Sequence, residues 1–148
     1  MALEDEINQL QSNPVFAAFD IEALRLIAFS SESRVLRKDD VLFREDDVSD
    51  AGYFILSGSL ALSGSSGSET YGAGTLVGET ALFTETRRPA TAVVLETTVV
   101  RRIPRHLMRR VLAEFPASAA RVRSELHQKI ASVTQKLNRI HAALPDEV

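Results

Sequence analysis

The 148-residue chain contains no cysteine, which excludes a disulfide framework, a thiol nucleophile and any cysteine-ligated metal. It also lacks a positive excess: 17 Lys and Arg stand against 20 Asp and Glu, a net charge of −3. DNA is ordinarily held by a basic surface, so that class of partner is disfavoured. Histidine is scarce, and His106, His127 and His141 lie far apart on helical segments with no metal-ligating spacing. No apolar run is long enough to cross a bilayer. The acidic start, Met1 to Gln11, lacks the basic flank and apolar stretch of a secretory signal. A cytoplasmic protein without membrane contact is the expectation. There is no nucleophile elbow and no kinase, cyclase or phosphodiesterase signature, so the sequence reads as a binding module and not as an enzyme.

What is present is ordinary for a globular protein, 45% hydrophobic and 25% charged, at a length suited to one core. Residues 1–148 are therefore expected to form a single domain, in three zones set by the hydrophobic period. From Leu3 to about Phe29 the apolar residues Leu3, Ile7, Leu10, Leu24, Ile27 and Ala28 fall at helical spacing. Pro14 divides this zone in two, and Asp20 is a candidate N-cap for the second helix. From about Ser33 to Ile103 short apolar runs (Val41–Phe43, Tyr53–Leu56, Leu60–Leu62, Leu76–Val77, Ala92–Leu95, Val99–Val100) alternate with Gly, Asp and Ser turns. Many short strands at this spacing predict an antiparallel β-roll or jelly-roll barrel. Ser63 to Ser68 reads as a flexible hairpin loop.

Helical texture returns from Pro104 to about Leu144, with Pro116 opening the last helix. From Ala117 to Leu144 that helix would span about 42 Å. It carries Val122, Leu126, Ile130, Val133, Leu137, Ile140 and Leu144, a heptad seam after Leu126. A small barrel has limited surface for so long a stripe, which favours a homodimer paired through this helix over a helix lying on its own barrel.

The segment from Gly72 to Val93 is too rich in chemistry for a plain hairpin. Gly78 permits a tight turn or a close approach to a ligand. Thr80-Ala81-Leu82 suits one short helical turn whose free N–H groups make an anion site. Arg87 or Arg88 supplies a guanidinium fork that matches two phosphate oxygens. Glu79 is an acceptor-only carboxylate, suited to a sugar hydroxyl. A carboxylate beside an anion site argues for a ligand with both phosphate and ribose, a mononucleotide.

Gly78-Glu79-Thr80-Ala81-Leu82-Phe83, with Arg88-Pro89-Ala90-Thr91 beyond it, resembles the phosphate-binding cassette of the cyclic nucleotide-binding domain family. Pro14-Val15-Phe16, Val41–Phe43, Asp50–Leu60 and Thr97–Pro104 resemble other segments of that family, in the right order. The resemblance implies that Glu79 accepts the ribose 2′-hydroxyl and Arg88 pairs with the cyclic phosphate. It implies that the Ala81 N–H points at that phosphate, that Gly78 keeps the backbone close to the sugar, and that Leu62 and Tyr71 lie near the base. Thr80 and Ala90 belong to the same implied site. By position in the last helix, Lys129, Ser132 or Thr134 could reach the base.

The departures carry information too. Pro89 stands where the family usually offers an N–H, often with a Ser or Thr hydroxyl. Losing one charge-assisted hydrogen bond costs about 1.5–3 kcal/mol, a ten- to hundredfold drop in affinity. The missing hydroxyl tilts the ligand towards cAMP over cGMP. Asp39 and Asp46 replace turn glycines, a substitution that Asp tolerates. After the last helix only Pro145–Val148 remain, too little for a helix-turn-helix, so no DNA partner is expected. The expected function is a cyclic nucleotide sensor, without other cofactor, acting on a separate protein effector. The alternative is a degenerate fold that serves interaction or dimerisation without ligand.

Overall fold

Pro14 cannot donate to a helix ladder, and the first apolar stretch breaks there. In the computed structural model, which describes residues 3–65 and 67–124, helix α1 (Leu3–Gln11) ends just before it. Asn13 then makes the turn: its Oδ1 accepts the Val15 N–H at 2.9 Å and its Nδ2 donates to the Gly74 carbonyl at 3.0 Å. A 3-10 turn (Phe16–Ala18) leads to α2 (Ile21–Ser30), which buries Ala23, Leu24, Ile27 and Ala28. Asp20 occupies the N-cap position of α2 but makes no side-chain cap. Arg121 takes its carboxylate at 2.6 Å, while the Asp20 N–H donates to Ser118 Oγ at 3.0 Å. The competing ion pair thus ties the start of α2 to the last helix.

Among the described residues eight strands follow: β1 (Glu32–Leu36), β2 (Val41–Phe43), β3 (Ala51–Ser57), β4 (Ser59–Gly64), β5 (Gly67–Gly72), β6 (Leu76–Val77), β7 (Thr91–Val94) and β8 (Thr98–Pro104). They form two antiparallel four-stranded sheets, ordered β1-β8-β3-β6 and β2-β7-β4-β5. The architecture is the antiparallel roll the strand spacing predicted, and among the described residues no ladder joins the two sheets into a closed barrel. The Gly/Ser stretch expected as a loose loop is paired almost to its tip, with Ser63 opposite Ser68 and Gly64 opposite Gly67. A ladder is made by the backbone, and small polar side chains do not prevent it.

Strand β3 explains why Ala51 to Leu56 reads as one apolar run without alternation: both faces are buried. Phe54 and Leu56 face a helical core with Phe16, Leu24, Ile103 and Leu107, in which Phe16 meets Phe54 edge-on at 5.9 Å. Tyr53 and Ile55 face the interior of the roll with Phe43, Leu60, Val94 and Val100. Helix α3 (Arg105–Glu114) closes the first core with Leu107, Met108 and Val111. Pro104 ends β8 in extended conformation immediately before it. A further helical stretch begins at 116, as expected, and is described to 124. Val122, the first residue of the apolar stripe, is buried in the chain's own helical core. The rest of the heptad seam and the homodimer expected from it lie outside the described residues. Among the described residues no helix is long and apolar enough to cross a membrane.

One buried ion pair crosses this assembly. Glu6 of α1 receives Arg101 of β8 at 2.5 and 2.8 Å, with side chains only 10% and 12% exposed. Glu6→Ala strands the guanidinium away from water and is expected to destabilise the fold by about 3–5 kcal/mol. Urea unfolding checks this, and a loss below about 1 kcal/mol would show that the pair is effectively solvated.

Candidate functional site

The segment between β6 and β7 folds as its residue types require. Gly78 adopts φ +77°, the left-handed region that disfavours a side chain, and a 3-10 turn (Glu79–Leu82) starts from it. Leu82 is fully buried in the helical core, while Glu79, Thr80 and Ala81 border an open cleft of about 280 Å³. That volume lies near the lower end of small-ligand pockets. Leu62 of β4 and Tyr71 of β5 form the wall contributed by the second sheet, and Gly78, Arg88 and Pro89 line it too. Ala90 is the exception among the site residues read from sequence: it does not line the cleft and packs against the β4 backbone at Gly64. Thr75, Leu76, Val77 and Thr86 line it without having been anticipated. Their signal was weak, since each reads as an ordinary strand or turn residue. Lys129, Ser132 and Thr134 lie outside the described residues.

Arg88 dominates the site. It is only 4% exposed, and among the described residues no carboxylate forms an ion pair with it. Its Cζ lies 4.2 Å from the Phe43 ring centroid and 5.8 Å from that of Tyr53, within cation–π range. Nη2 donates to the Ala51 carbonyl at 2.6 Å, whereas the buried Nε has no partner. Burial pushes the pKa of this guanidinium down from its ordinary value, opposed by the Tyr53, Asp50 and Asp47 side chains. Arginine nevertheless keeps its charge in proteins. The side chain is thus a desolvated cation with hydrogen-bonding capacity left over, beside a cleft.

The neighbouring Arg87 is exposed and donates to the Asp46 carbonyl at 2.9 Å, away from Arg88. Of the two candidates for the guanidinium, only Arg88 borders the cleft. The free N–H expected at Ala81 is engaged within the turn, donating to the Gly78 carbonyl at 3.0 Å. A 3-10 turn spends its N–H groups one residue sooner than an α-helix does. Tyr71 donates its hydroxyl to Glu69, and that bond raises the phenol pKa above its ordinary value.

One contribution went unread in the sequence. Arg105, the first residue of α3, donates to the Ala81 carbonyl at 2.9 Å and to the Ser49 carbonyl, bridging the turn, the segment before β3 and the helix. A cation at a helix start opposes the helix dipole, so nothing local marks it as useful. Asp39 and Asp46, read as tolerant replacements for turn glycines, do adopt φ of +74° and +72°. Among the described residues no group of three metal-binding side chains converges.

Similarity to known proteins agrees with this geometry. The family described as cyclic nucleotide-binding domain matches residues 33–115. A lysophospholipase nte1 from Aspergillus oryzae is 31% identical over 115 residues, 74% of this chain. The chain spans only 8% of the length of the curated relatives it matches. A cyclic nucleotide-binding-like protein from Brucella abortus superposes with a TM-score of 0.66 at 38% identity, covering 74% of this chain and 98% of that one. The N-terminal domain of a transcriptional regulator from Streptomyces coelicolor gives 0.76 at 25% identity, covering 95% and 99%. The chain belongs to the cyclic nucleotide-binding domain family.

Gly78 tests the packing around Arg88. A Cβ there would stand 2.5 Å from Arg88 Nη1 in a backbone region that L-residues avoid. Gly78→Ala is expected to cost about 1–2 kcal/mol for the left-handed conformation alone, and more once Arg88 is displaced. Chemical denaturation gives the number, and an unchanged midpoint would mean that the turn relaxes freely.

Proposed function

We propose that the chain is a single-domain binding module for a cyclic mononucleotide, cAMP in preference to cGMP, that signals to a separate protein and performs no catalysis. The observation that carries this reading is the buried Arg88 guanidinium, with no ion-pair partner among the described residues and an unpartnered Nε, at the edge of a nucleotide-sized cleft. A phosphodiester monoanion supplies the missing charge and acceptors together. Glu79, on the same wall, accepts the ribose hydroxyl. Leu62 and Tyr71 give the base an apolar and aromatic surface on the other side. Gly78 allows Arg88 to close against the turn, and Pro89 borders the phosphate without contributing an N–H. The absence of a hydroxyl at Pro89 favours cAMP.

Output runs through the turn. Leu82 packs in one core with Leu107, Met108 and Val111 of α3, and Arg105 holds the Ala81 carbonyl. A ligand that prefers one position of the turn therefore biases the position of α3, as a two-state sensor requires. The heptad spacing of apolar residues in the sequence beyond residue 124 supports pairing of two copies.

A second reading keeps the fold and drops the ligand. It is favoured by Pro89 on the cleft wall and by the Ala81 N–H already spent inside the turn. Calorimetry with cAMP and cGMP separates the two. Micromolar or tighter cAMP binding is expected, weakened about tenfold or more by Arg88→Ala or Glu79→Ala and left unchanged by Arg87→Ala. No heat with either nucleotide refutes the sensor reading in favour of the interaction module.

A further inference from the structure

Arg87 and Arg88 are chemically identical neighbours, yet one is exposed and the other is buried at the cleft. Successive residues of an extended segment point to opposite sides, so a slip of one residue would exchange them. The register is fixed from elsewhere in the chain. The Arg88 N–H donates to the Asp47 carbonyl and the Asp46 N–H donates to the Arg88 carbonyl, both at 2.8 Å. Arg87 bridges Val48, and Ser49 N–H donates to the Thr86 carbonyl at 2.8 Å.

The turn that makes these bonds supports itself. Asp47 N–H donates to the Arg44 carbonyl at 3.1 Å, Asp47 Oδ2 accepts the Arg44 N–H at 3.0 Å, and Asp46 adopts its positive φ between them. The same device occurs at Arg37–Asp40, where Asp39 and Asp40 clasp Val94 through two bonds of 2.8 Å. The chain from Arg88 to Val94 is held at both ends by one kind of turn, with β2 between the two. Phe43, the last residue of β2, also lays its ring against the Arg88 guanidinium.

We infer that Phe43–Asp47 is the positioning element that selects Arg88 over Arg87 as the cation of the cleft, the turn setting its backbone and the ring its side chain. The inference rests on the nucleotide reading only for its ligand measurement, because the register is readable without ligand.

Phenylglyoxal labelling of the folded chain, mapped by mass spectrometry, is the first arm. In the wild type Arg87 reacts readily and Arg88 about tenfold more slowly. Asp46→Val strains the turn, since a β-branched residue avoids φ near +70°, and is expected to abolish the difference. Asp46→Gly relaxes the turn and preserves it. In the second arm, Asp46→Val weakens cAMP binding about tenfold, Asp46→Gly leaves it unchanged, and Asp46→Val adds no loss in an Arg88→Ala background. If Asp46→Val does not fold, Asp47→Ala, with Asp47→Asn as the conservative partner, is read the same way. Undiminished Arg88 protection in the folded turn variant, or an equal affinity loss in the Arg88→Ala background, overturns the inference. Failure of the wild type to bind any cyclic nucleotide refutes the proposed function instead, and the labelling still decides the register.

Discussion

Burying a guanidinium with no counter-ion among the described residues is the constraint on which the rest of this site depends. Removing such a charge from water costs several kcal/mol even after relaxation. Cation–π contact with Phe43 and Tyr53 returns about 0.5–2 kcal/mol, and the bond to the Ala51 carbonyl about 1.5–3 kcal/mol. The partnerless Nε works against both. The surroundings of Arg88 are accordingly narrow in what they allow: a glycine at 78, where a Cβ would collide with Nη1, aromatic rings at 43 and 53, and the strand carbonyl at 51 that accepts from Nη2.

The fold supplies these surroundings through β3. Because β3 is buried on both sides, it offers Tyr53 to the roll and Phe54 to the helices, and its start presents Ala51 and Gly52 to the turn. A Cβ on Gly52 would come within 3.0 Å of Leu82, so the absence of a side chain there lets the turn seat. The turn is thus two-sided, with Leu82 in the helical core and Glu79 and Thr80 at the cleft. Arg105 adds a polar tie from α3 to the Ala81 carbonyl. The site and the helices share one packed element, so neither moves far without the other.

Much of this was legible in the residues. Gly78, the polar-then-apolar order after it and the nearby arginines gave the turn and the cleft, because glycine and charge act locally. Pro14 and Pro116 marked helix boundaries through their missing N–H. The antiparallel roll was legible in the strand texture, but not the order of its two sheets, since that depends on ladders between distant strands that alternation does not encode. Asp20 failed as a cap because Arg121, about a hundred residues away, competes for its carboxylate. The support of Arg88 by Asp46 and Asp47 was invisible for a different reason: those bonds are backbone to backbone, and any residue able to hold the turn would make them.

The way the backbone amides are used narrows how an anion can be held here. The Ala81 N–H is bound to Gly78, the Arg88 N–H to Asp47, and Pro89 has none. Sites that cradle phosphate with main-chain donors spread recognition over several weak, fixed dipoles. With the amides of residues 81 and 88 engaged and none at 89, the proposed function leaves less of an anion's recognition to main-chain donors and more to the buried Arg88 guanidinium, whose Nε has no partner among the described residues. Under the proposed function such a site discriminates by charge and by the position of a single side chain. It follows that the elements fixing that side chain, Phe43 from one strand and the Asp46–Asp47 turn beyond it, belong to the site as much as the segment that carries the arginine.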